Sequence, residues 1–428
     1  MEKTEIKELM DFLDNSLTCY HAVREVEKRL LEAGFVKLSE NKAWPLEGGH
    51  GYYVIRNDSS LIAFYVPLCG ADAIQGFHIY AAHSDSPAFK LKENPEITKE
   101  GMYVSLNTER YGGAILSSWL DRPLTIAGRV CVEEHGTIVS YPVKLKDNTC
   151  VIPNLAIHMN RDMNKGVELN PQTDMLPLFT MQSDQEETQE SIVRMLTDAV
   201  NKAHVLSYDL FAENAQKAVL AGANDEFVLS ARYDDLSCVF AGTKAITQVQ
   251  SERYINVLAV FDNEEVGSLT RQGADSDFLR NTLENTADGL AVSQAVYRMW
   301  KAGSFMLSAD NAHACHPNQA AKADPVNRPR LNGGIVLKYH GGQKYATDAY
   351  SAAVVKKLCK EKDIPCQIYT NRSDLAGGAT LGNLAMAQVS VPTADIGLAQ
   401  LAMHSAYETG GAEDIHYMIR LAKAFYEI

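Results

Sequence analysis

Residues 254–268 read YINVLAVFDNEEVGS, an apolar run that breaks into two adjacent glutamates, Glu264 and Glu265. The short β-branched run, bounded by turn-forming residues, predicts a strand that is covered on both faces. Open α/β sheets bind their ligands at the carboxyl ends of such strands. Paired glutamates are in most proteins solvated surface residues. At a strand end, however, one of them can bind a metal ion while the other reaches a water molecule on that ion, and the rest of the chain must decide between the two interpretations.

Size and composition limit the possible functions. With 428 residues the chain exceeds the length at which a single core usually splits, so we expect two domains. Its 46% hydrophobic and 22% charged residues are typical of a globular protein. A formal net charge of −14 argues against binding to nucleic acid or to an anionic membrane, which requires clustered lysines and arginines. Peptides or small molecules are therefore the expected partners.

The N-terminus and the cysteines bear on the location of the protein. The first residues are polar and charged, and no apolar run reaches membrane-spanning length, so we expect a soluble, cytoplasmic protein. Eight cysteines are scattered without a Cys-x-x-Cys pair, which indicates reduced thiols rather than a disulfide framework or a zinc knuckle.

Strand and helix patterns divide the chain into two parts. Short alternating stretches between residues 91 and 227 predict a mostly β insertion, which also contains a helix near 192–205. The flanking segments, 1–90 and 228–428, combine strands with helices and predict an α/β domain. The predicted helices of these segments are 4–15, 20–33, 289–300, 348–360 and 412–426. The predicted strands are 52–55, 61–66, 76–82, 305–309, 334–339 and 366–370.

Polar side chains follow several predicted strands. A His-x-Asp motif, His83 and Asp85, ends the strand at 76–82, and this spacing allows the imidazole to bind a metal while the carboxylate fixes its tautomer. Three more side chains occupy similar strand ends: Asp234, Asp310 and His404. Two divalent ions that share a bridging carboxylate need such a set, because each takes one His and one terminal carboxylate. One glutamate of the pair is then free to act as a base.

Six motifs surround these residues. Starting at residues 82, 154, 232, 262, 308 and 401, they read AHSDSP, NLAIH, RYDDL, DNEEVGS, SADNAHA and LAMHS. Together the motifs resemble the aspartyl aminopeptidase family of metallopeptidases, and the resemblance extends over nearly the whole chain. It implies an α/β fold in which an αβα zinc-exopeptidase catalytic domain, 1–90 and 228–428, is interrupted by a β-rich domain, 91–227. In this family the inserted domain drives dimerisation and further assembly, often into dodecamers.

The resemblance also implies two divalent metal ions per subunit, with zinc expected and cobalt or manganese as alternatives. The implied ligands of one ion are His83, Asp234 and Asp310, and those of the other ion are Asp234, Glu265 and His404. Asp234 would thus bridge the two ions. Asp235 departs from the family pattern, in which we expect Asn at this position.

Four further residues receive roles from the same resemblance. Glu264 matches the general base, and Asp85 matches the partner that orients the first histidine. His158 matches a histidine that reaches into the active site of a neighbouring subunit. Lys338 matches a lysine that meets an acidic side chain of the substrate, with an ordinary surface position as the alternative. Independently of the resemblance, His158 or His313 could donate a hydrogen bond to the oxyanion, with a structural role beside the site as the alternative for His313.

We therefore predict a homo-oligomeric aminopeptidase that acts on peptides through a water molecule activated by two metals, with a Glu as the base. The N-terminal residues that it removes are expected to be acidic. Other functions stay open: an aminopeptidase that prefers neutral residues, a deacylase or carboxypeptidase on the same fold, and a non-catalytic assembly protein with a vestigial site. A requirement for a free N-terminal amine separates the aminopeptidases from the other hydrolases, and the intact ligand set argues against a vestigial site.

Overall fold

The computed structural model describes residues 3–183, 191–201 and 205–428. Its helices are α1 (Lys3–Asn15), α2 (Cys19–Glu32), α3 (Ile192–Val200), α4 (Tyr233–Ile246), α5 (Phe278–Gly289), α6 (Gln294–Ala302), α7 (Ala349–Glu361), α8 (Leu381–Val389) and α9 (Asp414–Glu427). Within the described ranges, no helix has the length and apolar character needed to cross a membrane. The cytoplasmic location stays a prediction.

The strands form three sheets. In chain order they are β1 (Val36–Lys37), β2 (His50–Arg56), β3 (Ser60–Val66), β4 (Gly76–His83), β5 (Ala88–Lys99), β6 (Tyr103–Tyr111), β7 (Leu124–Glu134), β8 (Thr137–Lys144), β9 (Leu178–Met181), β10 (Val205–Asn214), β11 (Val219–Ala221), β12 (Phe227–Ser230), β13 (Tyr254–Phe261), β14 (Phe305–Ala309), β15 (Ala312–His313), β16 (Ile335–Tyr339), β17 (Cys366–Thr370), β18 (Thr393–Gly397), β19 (Ala399–Leu401) and β20 (Glu408–Gly411).

The largest sheet has nine strands in the order β1-β2-β3-β13-β4-β14-β18-β16-β17. β13 is the strand predicted from the apolar run, and it lies between β3 and β4. It pairs with β4 in parallel, from Tyr254 opposite Gly76 to Phe261 opposite His83. β14 pairs in parallel with the other edge of β4. Because these three strands run in the same direction, their carboxyl ends meet at one edge of the sheet.

Helices cover both faces of this sheet. Alternate residues of β13 enter two hydrophobic cores: Leu258 and Val260 pack with α1, α2, α4, α7 and α9, whereas Val257, Ala259 and Phe261 pack with α5, α6 and α8. All five side chains are fully buried. Burial on both faces explains why the run is apolar without alternation. The predicted αβα arrangement is confirmed.

A six-stranded antiparallel sheet, in the order β8-β7-β10-β5-β6-β9, lies in the predicted insertion except that β5 begins at Ala88, before the predicted limit at residue 91. It has a core of its own, which includes Trp119, Ile126 and Leu210. The helix predicted near 192–205 is shorter, because Asn201 adopts the left-handed conformation that ends α3. Residues 202–204 lie outside the described ranges. The limits of the inserted domain, 91–227, stay a prediction.

A five-stranded sheet, β11-β12-β20-β19-β15, was not predicted. Its strands are two to four residues long, too short for an alternating pattern to emerge from the sequence. β20 pairs with both β12 and β19. This sheet therefore brings the chain that follows β12 close to the chain that follows β19.

The helix predicted at 289–300 is present but begins later than expected. α5 ends at Gly289 and α6 begins at Gln294. Ala291 between them has φ 55°, which is outside the helical range. The side chain of Ser293 then accepts a hydrogen bond from the main-chain N–H of Val296 and caps the new helix.

Candidate metal centre

Three parallel strands deliver the first set of side chains. His83 is the last residue of β4, and its neighbour in register is Phe261, the last residue of β13. Glu264 and Glu265 follow in a short 3-10 turn, and Asp310 comes directly after β14. One ligand atom from each of His83, Glu264 and Glu265 lies within 4.8 Å of the others. The common edge of the sheet thus brings these residues together.

The five-stranded sheet delivers Asp234 and His404. Asp234 follows β12 at the start of α4, where its backbone is not helical, and His404 follows β19 with φ 66°. Asp234 Oδ1 lies 4.0 Å from His83 Nε2, and Asp234 Oδ2 lies 3.8 Å from His404 Nε2. Asp234 belongs to two further groups, and within each group the ligand atoms lie within 4.8 Å of one another. One group contains Asp234, His83 and Asp310, and the other contains Asp234, Glu265 and His404. The two oxygens of Asp234 therefore face different histidines.

The chemistry of these residues fits bound cations. Asp234 Oδ1 and Glu265 Oε1 are buried and have no hydrogen-bond partner among the described residues. Burial, together with the charge of Asp310, raises the pKa of Asp234 to about 7. Burial by itself would lower the pKa of His404, but the carboxylate of Glu265 raises it to about 10. The centre is thus short of positive charge, and its imidazole and carboxylate donors suit zinc.

Asp85 fixes three residues of the centre. Its main-chain oxygen accepts a hydrogen bond from His83 Nδ1 at 3.0 Å, which leaves His83 Nε2 free to bind a metal. The nearest carboxylate oxygen of Asp85 lies 3.4 Å from the same nitrogen. This carboxylate also accepts hydrogen bonds from the main-chain N–H groups of Glu264 and Glu265, at 3.1 and 3.2 Å. Asp85 therefore positions the paired glutamates as well as the histidine.

Asp235, which stands where the family pattern has Asn, is fully buried and accepts the main-chain N–H of His83 at 3.2 Å. Burial raises the pKa of Asp235 well above its ordinary value, and the charges of Asp310 and Asp234 add to this effect. The hydrogen bond from His83 needs only an acceptor oxygen, which Asp and Asn side chains share, so Asp can make this contact.

Glu408 is a residue of the centre that the sequence analysis missed. It is buried at the start of β20, and its two carboxylate oxygens accept the main-chain N–H groups of Asp234 at 3.0 Å and His404 at 2.7 Å. One side chain thus ties together the two segments that reach the centre from the five-stranded sheet. A carboxylate that acts through main-chain groups of distant residues has no motif, so only its place four residues after His404 could have drawn attention to it.

The other predicted residues lie around the centre rather than in it. Lys338 on β16 is 1% exposed, and its Nζ donates to the main-chain oxygens of Asp310 at 2.6 Å and Asn311 at 3.2 Å. The alternative of a surface position for Lys338 is wrong. His313 belongs to β15 and lines a neighbouring cavity. His158 is exposed in the connection that follows β8, and it is not among the side chains that the ligand groups bring together.

The cavity beside the centre has a volume of about 440 Å³ and a basic lining. Leu401, Ala402 and Met403, which precede His404, form part of its wall. The cationic or titratable side chains that line it are His313, His316, Lys322, Arg328 and Arg372. In the part of the chain that the structure describes, no Asp or Glu lines it. A ligand group in this cavity would meet positive charge.

The comparisons with known proteins agree with this chemistry. The family described as aminopeptidase I zinc metalloprotease (M18) matches residues 12–426. The probable M18 family aminopeptidase 2 of Clostridium novyi (strain NT) is 42% identical over 435 residues, which cover 100% of both chains. Among solved structures, a chain of the Ape4 and Nbr1 complex has a TM-score of 0.94 and 32% identity, covering 99% of this chain and 85% of that chain. A chain of the S. cerevisiae mApe1 dodecamer has a TM-score of 0.82 and 27% identity, covering 98% and 96%. The chain therefore belongs to the M18 family of zinc metalloproteases and is a metal-dependent aminopeptidase.

Proposed function

We propose that this aminopeptidase works with two divalent ions, zinc being the expected metal, and that the carboxylate of Asp234 bridges them. The observation that carries the proposal is that the two oxygens of Asp234 face His83 and His404 separately. The proposed ligands of one ion are His83, Asp234 and Asp310, and those of the other ion are Asp234, Glu265 and His404. When bound, such a pair supplies Lewis acidity toward a shared water and the scissile carbonyl.

Glu264 is the proposed general base. Its carboxylate belongs to one of the three groups of ligand atoms, whereas that of Glu265 belongs to two, so Glu264 is the member of the pair left for proton transfer. The carboxylate of Glu264 accepts a proton from the attacking water and passes this proton to the nitrogen of the leaving amide. The hydrogen bond from its main-chain N–H to Asp85 holds it in place during both transfers.

Acidic N-terminal residues are the proposed substrates. The basic lining of the cavity next to His404 supports this proposal, because a desolvated substrate carboxylate is stabilised by charge pairing. Lys338 adds a buried positive charge 3.9 Å from Asp310 Oδ1. His313 lines the same cavity and is proposed to contact the substrate.

Self-assembly into dimers, and from dimers into a dodecamer, is also proposed, with 91–227 as the assembly domain and 1–90 and 228–428 as the catalytic domain. The similarity to the mApe1 dodecamer supports it. The loop around His158 supports it too, because Leu155, Ile157 and Met159 are 48–74% exposed there, and clustered exposed apolar side chains mark contact surfaces. We propose that this contact brings His158 to the active site of a neighbouring subunit.

One assay tests the proposed function. The purified full chain is analysed for bound metal, and its hydrolysis of a dipeptide with an N-terminal Asp is compared with that of the N-acetylated dipeptide. The expected result is two ions per chain and cleavage of the free dipeptide alone. Cleavage of the acetylated compound would favour a deacylase or carboxypeptidase, and metal binding without any hydrolysis would favour a vestigial site.

A further inference from the structure

The segment Tyr111–Gly113 follows the inserted sheet at the end of β6 and lies against three residues of the metal centre. We infer that this segment positions the ligands of the centre, so that the inserted sheet supplies part of the catalytic site in addition to a surface for assembly. The inference rests on the proposed two-metal function. Three separate contacts, one from each residue of the segment, carry it.

Tyr111 acts on Asp85. The Tyr111 hydroxyl donates a hydrogen bond of 2.6 Å to Asp85 Oδ2 and accepts one of 2.9 Å from Asn263 Nδ2. Asp85 in turn receives the main-chain N–H groups of Glu264 and Glu265. A buried carboxylate with these partners has little freedom to rotate, and the phenol is the partner that comes from the inserted sheet. Removing the hydroxyl would loosen the residue that holds both glutamates.

Gly112 lies against Glu265. Its φ is 72°, and a Cβ at this position would lie 3.1 Å from Glu265 Cβ and 3.4 Å from Glu265 Oε2. The 3.1 Å contact is tighter than ordinary van der Waals separation, so a side chain at residue 112 would require the proposed ligand to shift by a few tenths of an ångström. The absence of a side chain at Gly112 is therefore a condition for the position of Glu265.

Gly113 acts on His404. The main-chain oxygen of Gly113 lies 3.3 Å from His404 Nδ1. Because a carbonyl oxygen can only accept, it selects the tautomer with the proton on Nδ1 and leaves Nε2 for the metal. His404 Nε2 indeed faces Glu265 Oε2 at 3.3 Å. Two residues further on, the main-chain N–H of Ile115 donates to the main-chain oxygen of His404, so both the ring and the backbone of this residue are held.

The competing explanation is that the segment only stabilises the fold. Matched variants distinguish this role from the positioning of the metal ligands. Gly101 lies in the turn between β5 and β6 with φ 65°, and a Cβ there would meet no atom within 4 Å. Gly101→Ala therefore carries nearly the same backbone strain as Gly112→Ala without the contact to Glu265. Tyr426, whose buried hydroxyl donates to the main-chain oxygen of Val257 at 2.9 Å, provides Tyr426→Phe as the control for Tyr111→Phe.

The experiment measures zinc affinity in all four full-length variants by competition with a chromogenic chelator, and the melting temperature of the metal-free proteins. We expect Gly112→Ala and Tyr111→Phe to bind at least one ion about 10- to 100-fold more weakly than the wild type, which is the usual effect of losing a group that orients a ligand. The two control variants should keep the wild-type zinc affinity, even if their melting temperatures fall as far as those of Gly112→Ala and Tyr111→Phe.

Equal zinc affinity in the test and control variants would overturn the inference, and Tyr111→Phe decides the question if Gly112→Ala does not fold. This failure is distinct from failure of the proposed function. If the wild type itself binds fewer than two ions, the two-metal proposal is wrong. If the wild type binds two ions and the variants match their controls, only the role of the segment is wrong.

Discussion

At the scale of single residues, Asp234 shows how one carboxylate can organise a centre. One of its oxygens faces His83 and the other faces His404, while its main-chain N–H is held by Glu408. The side chain is 3% exposed, so its charge is not screened by water. A cation on each side is the arrangement that best satisfies such a group, because a buried carboxylate without partners is costly.

Glu264→Gln and His404→Ala should separate catalysis from metal binding. Gln keeps the shape of Glu264 but cannot accept a proton, so we expect turnover to fall by about 10²- to 10⁴-fold with unchanged metal content. His404→Ala removes a proposed ligand and should lose metal as well as activity. Metal analysis and steady-state kinetics on both proteins provide the measurement. Full peptidase activity in the Glu264→Gln protein would refute its assignment as the base.

Arg328→Ala should weaken the preference for acidic substrates. Arg328 lines the basic cavity, and its removal should raise KM for N-terminal Asp and Glu substrates while leaving kcat nearly unchanged. Arg330→Ala is the matched control, since Arg330 is an exposed arginine two residues away that does not line the cavity. A panel of aminoacyl substrates measures the effect. Wild-type preference for Leu or Ala over Asp and Glu would contradict the acidic assignment itself.

His83, the paired glutamates and Asp310 could be predicted from the sequence because each follows a long or clearly apolar strand, whereas Asp234 and His404 could be predicted only from their motifs. Tyr111, Gly112 and Glu408 could not. They act through hydrogen bonds to Asp85 and to main-chain groups, or through the lack of a side chain, and such effects depend on which segments meet in space. The motifs therefore indicate the reactive groups of the centre but not the residues that hold them.

At the scale of secondary structure, too, some elements are indicated by the sequence alone, whereas others depend on which segments meet in space. β13 and β4 were predictable because both faces are buried along seven residues of β13 and eight residues of β4, which gives a long apolar signal. β12, β19 and β20 are three or four residues long and become strands only by pairing with one another. Yet these short strands place Asp234 and His404 beside the ends of the long ones. The least predictable sheet thus completes the centre.

Burial of His78 within β4 should make stability depend on pH. His78 is 5% exposed, stacks on Tyr254 and contacts the tilted ring of Phe425, and burial lowers its pKa to about 4. The unfolded chain takes up a proton below about pH 6.5 whereas the folded chain does not. The effect of His78 on the free energy of unfolding is therefore absent above pH 6.5. As the pH falls from 6.5 to 4, protonation of the unfolded chain lowers the free energy of unfolding by about 3 kcal/mol.

His78→Phe should remove this contribution while keeping an aromatic ring between Tyr254 and Phe425. Chemical denaturation at pH 7 and at pH 4.5 should then reveal a smaller loss of stability in the variant than in the wild type. His135→Asn is the control, because His135 is an exposed histidine in the turn between β7 and β8. Equal pH dependence in wild type and His78→Phe would contradict the burial argument.

At the scale of the whole molecule, the two proposed domains meet at the metal centre. The nine-stranded sheet supplies His83, Glu265 and Asp310, and the segment after β6 reaches the same place from the six-stranded sheet. The exposed loop that carries His158 follows β8 of the six-stranded sheet. We propose that this loop contacts a neighbouring copy of the chain. Activity should therefore depend on assembly as well as on folding.

Mixed oligomers test whether His158 acts across subunits. His158→Ala and Glu264→Gln proteins, each inactive alone, are co-expressed with different tags and purified as mixed assemblies. In a symmetric dimer with exchanged histidines, each mixed pair contains one intact site of two, so dimers that carry both tags should recover about half of the wild-type activity, and larger assemblies of randomly mixed pairs about a quarter. The absence of any recovery in assemblies that contain both tags would rule out sharing.

The place of β13 between β3 and β4 has a consequence for synthesis of the chain. β3 and β4 leave the ribosome early, but the strand that pairs with both emerges only after the whole six-stranded sheet has been translated. Until then both strands present unpaired edges, which invite aggregation. Nascent chains that stop before residue 254 should therefore depend on chaperones, and the centre is complete only after Asp310 and His404 have also been translated.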